Sequence, residues 1–359
     1  MSPKKSRRSI SPTIGKEQIA LLERLSNACA VSGGEGEVRD IVIEHVEPYA
    51  DDLEVDVLGN VLVTCKSRKR RSLRVMLAAH MDEVGFMLVA DKRDGIFRFE
   101  VVGGIDVRQL VGKSVWVGKD HVPGVIGSRP VHLDNGRQQI IPMRKLRIDL
   151  GPGGSKMAKP GDRATFATSF KQVGPSLFGK ALDDRLGVAA LIELVKHAPK
   201  NVELLAAFTV QEEVGVRGAR VAAYVLNPDM GIAVDSTPAY DLPAWDDEEN
   251  TRYNSRMGEG PALYVADRGT ISDPRLLRHF SEVGDALGIP YQYRQPGGGR
   301  TDAAAIHRQR EGIPSISISV PGRSPHTAVG IARLSDWQNT LSLLYEAISR
   351  MSLKILERS

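Results

Sequence analysis

The sequence predicts an α/β fold interrupted by a small inserted all-β domain. Three observations carry that expectation. Apolar strand-like runs, "LRVMLAAH", "NVELLAAFTV", "MGIAVDS" and "IPSISIS", alternate with helical stretches, as in a sheet covered by helices. Between about residues 88 and 168 the texture changes to short, Gly- and Val-rich alternating runs such as "GIFRFEVVGG", "KSVWVG" and "DRATFAT", which read as a small barrel or sandwich. The length of 359 residues accommodates two domains.

Taken in order, residues 1–14 form a basic arm. Lys4, Lys5, Arg7, Arg8 and Lys16 fall in the first sixteen residues, with no acidic residue among them. The arm has no apolar segment of a secretory signal and reads as disordered. Ile19, Leu22, Leu25 and Ala28 recur at helical spacing, "SGG" breaks the run, and a second amphipathic helix follows within the stretch that ends at Ala50. "LEVDVLGNVLVTC" is a hairpin turning at Leu-Gly-Asn, and "KSRKRRSLR" a solvated basic turn. The expected division is a discontinuous α/β domain over 15–75 and 169–355, with the β domain at 76–168. Residues 238–260, "PAYDLPAWDDEENTRYNSRMGEG", read as a long loop, and "LSDWQNTLSLLYEAISRMSLKILE" as an amphipathic C-terminal helix.

Composition narrows the function. The chain is 42% hydrophobic and 26% charged, so it has the composition of an ordinary globular enzyme. Its net charge of +4 comes from the arm, and the nearly neutral body argues against nucleic acid as a partner. No run approaches a membrane span, and a cytoplasmic address follows by default. Cys29 and Cys65 are isolated, so no disulfide framework is expected.

Five places at or after strand ends carry metal-type ligands. They are His80 with Asp82 in "LAAHMDEVG", Asp183-Asp184 in "GKALDDRLG", Glu212-Glu213 in "TVQEEVGVRGA", Asp235 in "GIAVDST" and His326 in "SVPGRSPHTAVG". Each alone has an ordinary explanation: a core histidine, a helix cap, a turn, a loop histidine. Together they put histidines and carboxylates where open α/β sheets form their sites. Two histidines with several carboxylates and no cysteine suit Zn, Co or Mn, and the surplus of ligands suggests two ions sharing a carboxylate. His80 and Asp82, two apart on an extended chain, should face the same way; Glu212 and Glu213, adjacent, should not. One of those glutamates would bind metal and the other act as general base, in an order the spacing leaves open.

The motifs "AAHMDEVGFM", "GKALDDRLG", "TVQEEVGVRGA", "AVDST", "GGGRTDAAAIH" and the final "RSPHT" resemble the glutamyl aminopeptidase and tetrahedral (TET) aminopeptidase family over nearly the whole chain after the arm. Some members of that family carry the name endoglucanase. The resemblance implies a mixed-sheet zinc-exopeptidase domain with an inserted PDZ-like β domain, assembled as dimers up to tetrahedral dodecamers. It implies peptides with a free N-terminus as substrates and two divalent ions, zinc or cobalt with manganese possible. Implied metal ligands are His80, Asp183, Glu213, Asp235 and His326, with Asp183 bridging; Glu212 is implied as the base, and Asp82 as the residue orienting His80. Three features depart from the family pattern: Ser324-Pro325 ahead of His326, Arg300 before Thr301, and the long 238–260 loop. Arg300 beside "GGG" is a candidate partner for acidic side chains. Deacylation of N-acyl amino acids is the alternative reaction. A glycosidase would leave both histidines without a role, and a non-catalytic assembly protein would not retain every ligand.

Overall fold

The computed structural model describes residues 11–128, 140–242 and 255–357. Two helices open the chain, α1 (Lys16–Asn27) and α2 (Gly36–Val46), followed by the hairpin β1 (Asp52–Val55) and β2 (Val61–Cys65). The Asp56 carboxylate accepts the backbone N–H groups of Leu58, Gly59 and Asn60 and so fixes the hairpin turn. Next come β3 (Arg74–His80), β4 (Gly85–Asp91), β5 (Ile96–Val102), β6 (Ser114–Val117), β7 (Val122–Gly127), β8 (Arg147–Asp149) and β9 (Arg163–Phe166). The chain continues through β10 (Lys171–Val173), β11 (Ser176–Gly179), α3 (Leu182–Lys196), β12 (Glu203–Thr209), α4 (Arg217–Leu226) and β13 (Met230–Pro238). It ends with β14 (Ala262–Tyr264), α5 (Pro274–Leu287), β15 (Gln292–Arg294), α6 (Ala303–Ile306), β16 (Ser315–Arg323), β17 (Gly330–Arg333) and α7 (Leu334–Arg350).

Among the described residues eleven strands form one mixed sheet, whose main path runs β1-β2-β12-β3-β13-β16-β17-β11-β10. Its centre, β12-β3-β13-β16, is parallel. Parallel strands are buried on both faces, which explains the unbroken apolar runs. Their alternation still sorts the side chains. Val75, Leu77, Leu204, Ala206 and Phe208 join the core beneath α1, α2, α3, α5 and α7. Met76, Ala78, Leu205 and Ala207 join a second core with Ala219, Ala222 and Ala223 of α4 and Ile306 of α6.

The remaining six strands, β4-β5-β8-β7-β6-β9, close into a barrel. Phe86 fills its centre, edge-on to Phe99 and Phe166 at 5.2 and 5.3 Å between ring centroids. The expected boundary at residue 76 needs correction. It falls inside β3, which is a central strand of the large sheet, and the barrel strands begin only at Gly85. A buried apolar strand looks alike in either setting, so pattern alone could not place it.

Two other expectations change. Residues 11–14, assigned to a disordered arm, are fastened to α7: Ser11 donates to Glu346 and the Ile14 N–H to Gln338, each at 2.6 Å. Residues 1–10 lie outside the described residues, as do 243–254 of the expected long loop. β13 already carries the first residue of that loop, Pro238.

Candidate metal centre

Because the central strands run parallel, their carboxyl ends share one edge, and the site gathers there. β3 ends at His80. β13 pairs with β3 only over Met230–Ala233, so Asp235 extends beyond its neighbour. Asp183 comes from the start of α3, Glu212 and Glu213 from the loop after β12, and His326 from the turn between β16 and β17.

Two ligand groups result, His80, Asp183 and Asp235, and Asp183, Glu213 and His326, sharing Asp183. His80 Nε2 lies 3.3 Å from Asp183 Oδ1 and 3.8 Å from Asp235 Oδ1. His326 Nε2 lies 3.4 Å from Asp183 Oδ2 and 3.2 Å from Glu213 Oε1. Asp183 thus offers one oxygen to each histidine. Two ligands held about 2.0–2.1 Å from one tetrahedral ion sit about 3.3–3.4 Å apart, so these spacings fit shared cations. Asp183 Oδ1 is also buried without a hydrogen-bond partner, as a ligand oxygen would be.

The electrostatics ask for cations as well. Burial, with Asp183 next to it, pushes the Asp235 carboxyl up to about 7. Burial raises Glu213 too, against the pull of His326. Glu212 is driven well above the usual carboxylate range by burial and by Asp235, Asp302 and Glu213. Carboxylates crowded this way are stabilised by positive charge among them.

Asp184 has a different task from its neighbour. Its Oδ1 accepts the Gly187 N–H at 3.0 Å and its Oδ2 the His80 N–H at 3.3 Å. Asp183 and Asp184 both have non-helical backbone angles, so the regular helix starts after them. The N-cap role that sequence offered to Asp183 thus falls to Asp184, leaving Asp183 for the cavity.

The strand-based expectation for Glu212 and Glu213 also fails. β12 stops at Thr209, and Gln211 has φ +56°, so the pair lies in a loop. Both glutamates line the same cavity of 460 Å³, together with His80, Asp183, Asp235 and His326. The loop is tied at several points. The Asp82 carboxylate accepts the N–H of Glu212 at 2.9 Å and of Glu213 at 3.2 Å, and also the Ser32 hydroxyl. Asn60 Oδ1 accepts the Val210 N–H at 2.9 Å. Gly218 closes the loop so tightly that a Cβ there would stand 2.2 Å from Asn60 Oδ1. Asp82 meets His80 mainly through its backbone: Nδ1 lies 3.1 Å from the Asp82 carbonyl and 3.6 Å from the carboxylate.

The barrel reaches the site through His326. Its Nδ1 contacts the Gly104 carbonyl at 2.9 Å, which leaves Nε2 facing Asp183 and Glu213. Gln109 donates to the His326 carbonyl at 3.0 Å. Deeper between sheet and barrel, Glu83 is fully enclosed. Its carboxylate accepts from Lys180 at 2.8 and 3.0 Å, Thr165 at 2.7 Å, Ala30 N–H at 2.9 Å and Arg185 at 3.3 Å.

The sequence did not point to Asn60, Glu83, Lys180, Arg185, Arg294 or Asp302, and it left Asp184 grouped with Asp183 as a metal-type ligand. Only Asp302 had a visible signal, as a helix cap in "GGRTDAA"; in the structure it accepts from Thr209 and its Oδ1 has no partner. Arg300 is exposed at the cavity wall. A third group that could hold a metal, Cys29, Glu37 and His121, sits elsewhere; there His121 Nε2 lies 2.7 Å from a half-exposed Glu37 carboxylate, beside a thiol that burial pushes up to about 12.

The profile of the M42 glutamyl aminopeptidase family matches residues 59–343. A putative aminopeptidase of Acetivibrio thermocellus is 35% identical over 340 residues, covering 93% of this chain and 99% of the relative. The crystal structure of a TET aminopeptidase from a marine-sediment thaumarchaeote superposes with a TM-score of 0.89 at 34% identity, covering 95% of this chain and 98% of its own. The TET1 peptidase of Pyrococcus horikoshii, described as assembling into a tetrahedron or a large octahedral shell, gives 0.80 at 32% identity, covering 92% and 99%. This chain belongs to the M42 glutamyl aminopeptidase family and is a hydrolase acting on peptide bonds.

Proposed function

We propose that the protein is a metal-dependent aminopeptidase that removes the N-terminal residue of peptides with a glutamate general base. The observation that carries this reading is the Asp183 carboxylate shared by two ligand groups, with Glu212 beside them in one cavity. His80, Asp183 and Asp235 would hold one divalent ion and Asp183, Glu213 and His326 the other, zinc or cobalt with manganese as a further candidate. Ions bound there would polarise the scissile carbonyl and make water more acidic.

The protein's own groups do the rest. Glu212 takes a proton from the attacking water on its carboxylate and gives it to the leaving amine nitrogen. Burial and acidic neighbours raise its proton affinity while cations beside it would lower it, a balance that suits a group that must both accept and return a proton. Asp82 holds the backbone of Glu212, so the base is positioned before substrate arrives. The carboxylates of the cavity favour a free α-ammonium, which sets the first peptide bond, and not a later one, at the reacting position. We further propose a homo-oligomer built with the β barrel, as the assembly of the Pyrococcus horikoshii relative suggests.

The test is hydrolysis of unblocked peptides and aminoacyl-anilides after chelation and after return of Zn, Co or Mn, with Glu212→Gln as control. The expected result is metal-restored release of N-terminal residues, lost in the variant. Cleavage confined to N-acyl amino acids would make the enzyme a deacylase, and cleavage confined to cellulosic substrates a glycosidase.

A further inference from the structure

We propose that Cys29, Glu37 and His121 form a separate metal site, which takes a thiophilic divalent ion such as zinc and staples the barrel to the segment joining α1 and α2. The site lies outside the cavity of the two ligand groups described above and shares no residue with them. It does not depend on the reaction proposed there.

Three segments supply the donors. Cys29 sits in the connection after α1, Glu37 in the first turn of α2, and His121 in the barrel turn between β6 and β7. Their ligand atoms all lie within 4.8 Å of one another. The Glu37 carboxylate divides itself between the other two residues: Oε2 accepts the Cys29 N–H at 3.0 Å, and Oε1 lies 2.7 Å from His121 Nε2. A hydrogen bond between an imidazole and a carboxylate needs no thiol; the Cys29 sulfur makes a three-donor set of it. Around one tetrahedral zinc, nitrogen and oxygen ligands stand about 3.3 Å apart and a sulfur about 3.5 Å from either. Glu37 and His121 have to part by about 0.6 Å to reach that spacing. Their side chains are 38% and 39% exposed, so the solvent side is open to that movement and to entry of the ion.

The donor set decides the ion. A thiolate with an imidazole and a carboxylate suits zinc or cobalt, and disfavours magnesium and calcium, which take oxygen ligands. Burial pushes the Cys29 thiol up to about 12, with Lys180 pulling the other way. Without an ion the sulfur therefore keeps its proton at neutral pH. On binding, the sulfur–metal bond replaces the S–H bond and the proton goes to solvent. Three protein donors leave the fourth position of a tetrahedral ion to water. Cys29 and Glu37 also bracket the loop that carries Ser32 and Glu35. Ser32 donates to Asp82 at 2.5 Å, and Glu35 accepts the Gln211 N–H at 3.2 Å. An ion tying this loop to the barrel would brace both contacts.

Cobalt reports the site directly. Among the described residues the cavity's ligand groups contain no sulfur donor, whereas a thiolate–cobalt bond adds a charge-transfer band in the near ultraviolet. The chelated full-length protein, kept reduced without added thiol, is titrated with Co and its absorption followed. The band should appear and saturate, vanish in Cys29→Ser and persist in Cys65→Ala, which separates the two thiols. His121 has φ +49°, a conformation that Asn tolerates, so His121→Asn keeps the turn while removing the imidazole. That variant should weaken cobalt binding, read from the band, by at least about 10-fold. Zinc content by emission spectroscopy should fall by about one ion per chain in Cys29→Ser. Absence of the band at saturating cobalt overturns the proposal without any variant. A band that survives Cys29→Ser assigns the thiolate elsewhere and overturns it too, and an affinity unchanged by His121→Asn reduces the site to an adventitious thiol contact with the same result.

Discussion

Nδ1 of His326 lies 2.9 Å from the carbonyl oxygen of Gly104, a contact between residues 222 apart in the chain. Through it the barrel sets the ring orientation and tautomer of a histidine in the large sheet's site, with Gln109 holding the same turn. A Cβ on Gly104 would stand 3.3 Å from that Nδ1. Gly104→Val should therefore tilt the ring, and metal affinity should fall about 10- to 100-fold with little change in thermal midpoint. Metal titration followed by calorimetry reads this directly, and unchanged affinity would separate the barrel from the site.

Glu212→Gln should lower kcat by about 10²- to 10⁴-fold. Metal content by emission spectroscopy should stay the same, because Glu212 belongs to neither ligand group. Burial and its acidic neighbours raise this carboxyl in the metal-free protein, and cations bound beside it would draw it back down. On the acid limb of kcat/KM Glu212 carries its proton and cannot act as base. The residual activity of Glu212→Gln should lose that limb, and an unchanged limb in the variant would argue against this assignment.

Asp82→Asn keeps one acceptor where the carboxylate now receives Glu212, Glu213 and Ser32. The expected cost is about 1–3 kcal/mol of stability, with a 10- to 100-fold loss of activity. Denaturant unfolding and kcat on the same preparation would check both together.

Lys180→Met should be the most damaging change away from the cavity, because it leaves Glu83 buried with one charge partner fewer. A destabilisation of about 3–5 kcal/mol is expected. The pH dependence follows from the sign of the shift. Burial works to raise the Glu83 carboxyl, but Lys180 and Arg185 outweigh it and hold it below its usual range. Its contribution to stability is therefore fully present above about pH 4.3 and is lost as pH falls through the depressed folded value. Acid unfolding of the Lys180→Met variant should begin at higher pH than in the unaltered protein; coincident acid limbs would contradict this.

Chelation should lower the thermal midpoint, since His80, Asp183, Glu213, Asp235 and His326 crowd without a cation. Returned Zn or Co should raise it in proportion to ln(1 + [metal]/Kd). Asp183→Asn, touching both groups, should abolish the cavity's share of that rise.

Sequence alone marked the residue types that gather in the candidate site and their places at or after strand ends, because period-two apolar runs end visibly where polar chemistry begins. It also marked the change of texture that became the barrel, since short alternating strands between glycines leave a local signature. Local signals could not decide that β3 stands at the centre of the large sheet, that Asp184 caps the helix while Asp183 turns to the cavity, or that Glu212 and Glu213 share one cavity. Nor could they find Asn60, Glu83 with Lys180, or the meeting of Cys29 with Glu37 and His121. The physical reason is common to these cases. Burial of a charge, the loss of its water and the arrival of its partner depend on segments 97 residues apart for Glu83 and Lys180 and 150 apart for Asn60 and Val210. Only the closed tertiary structure brings them together.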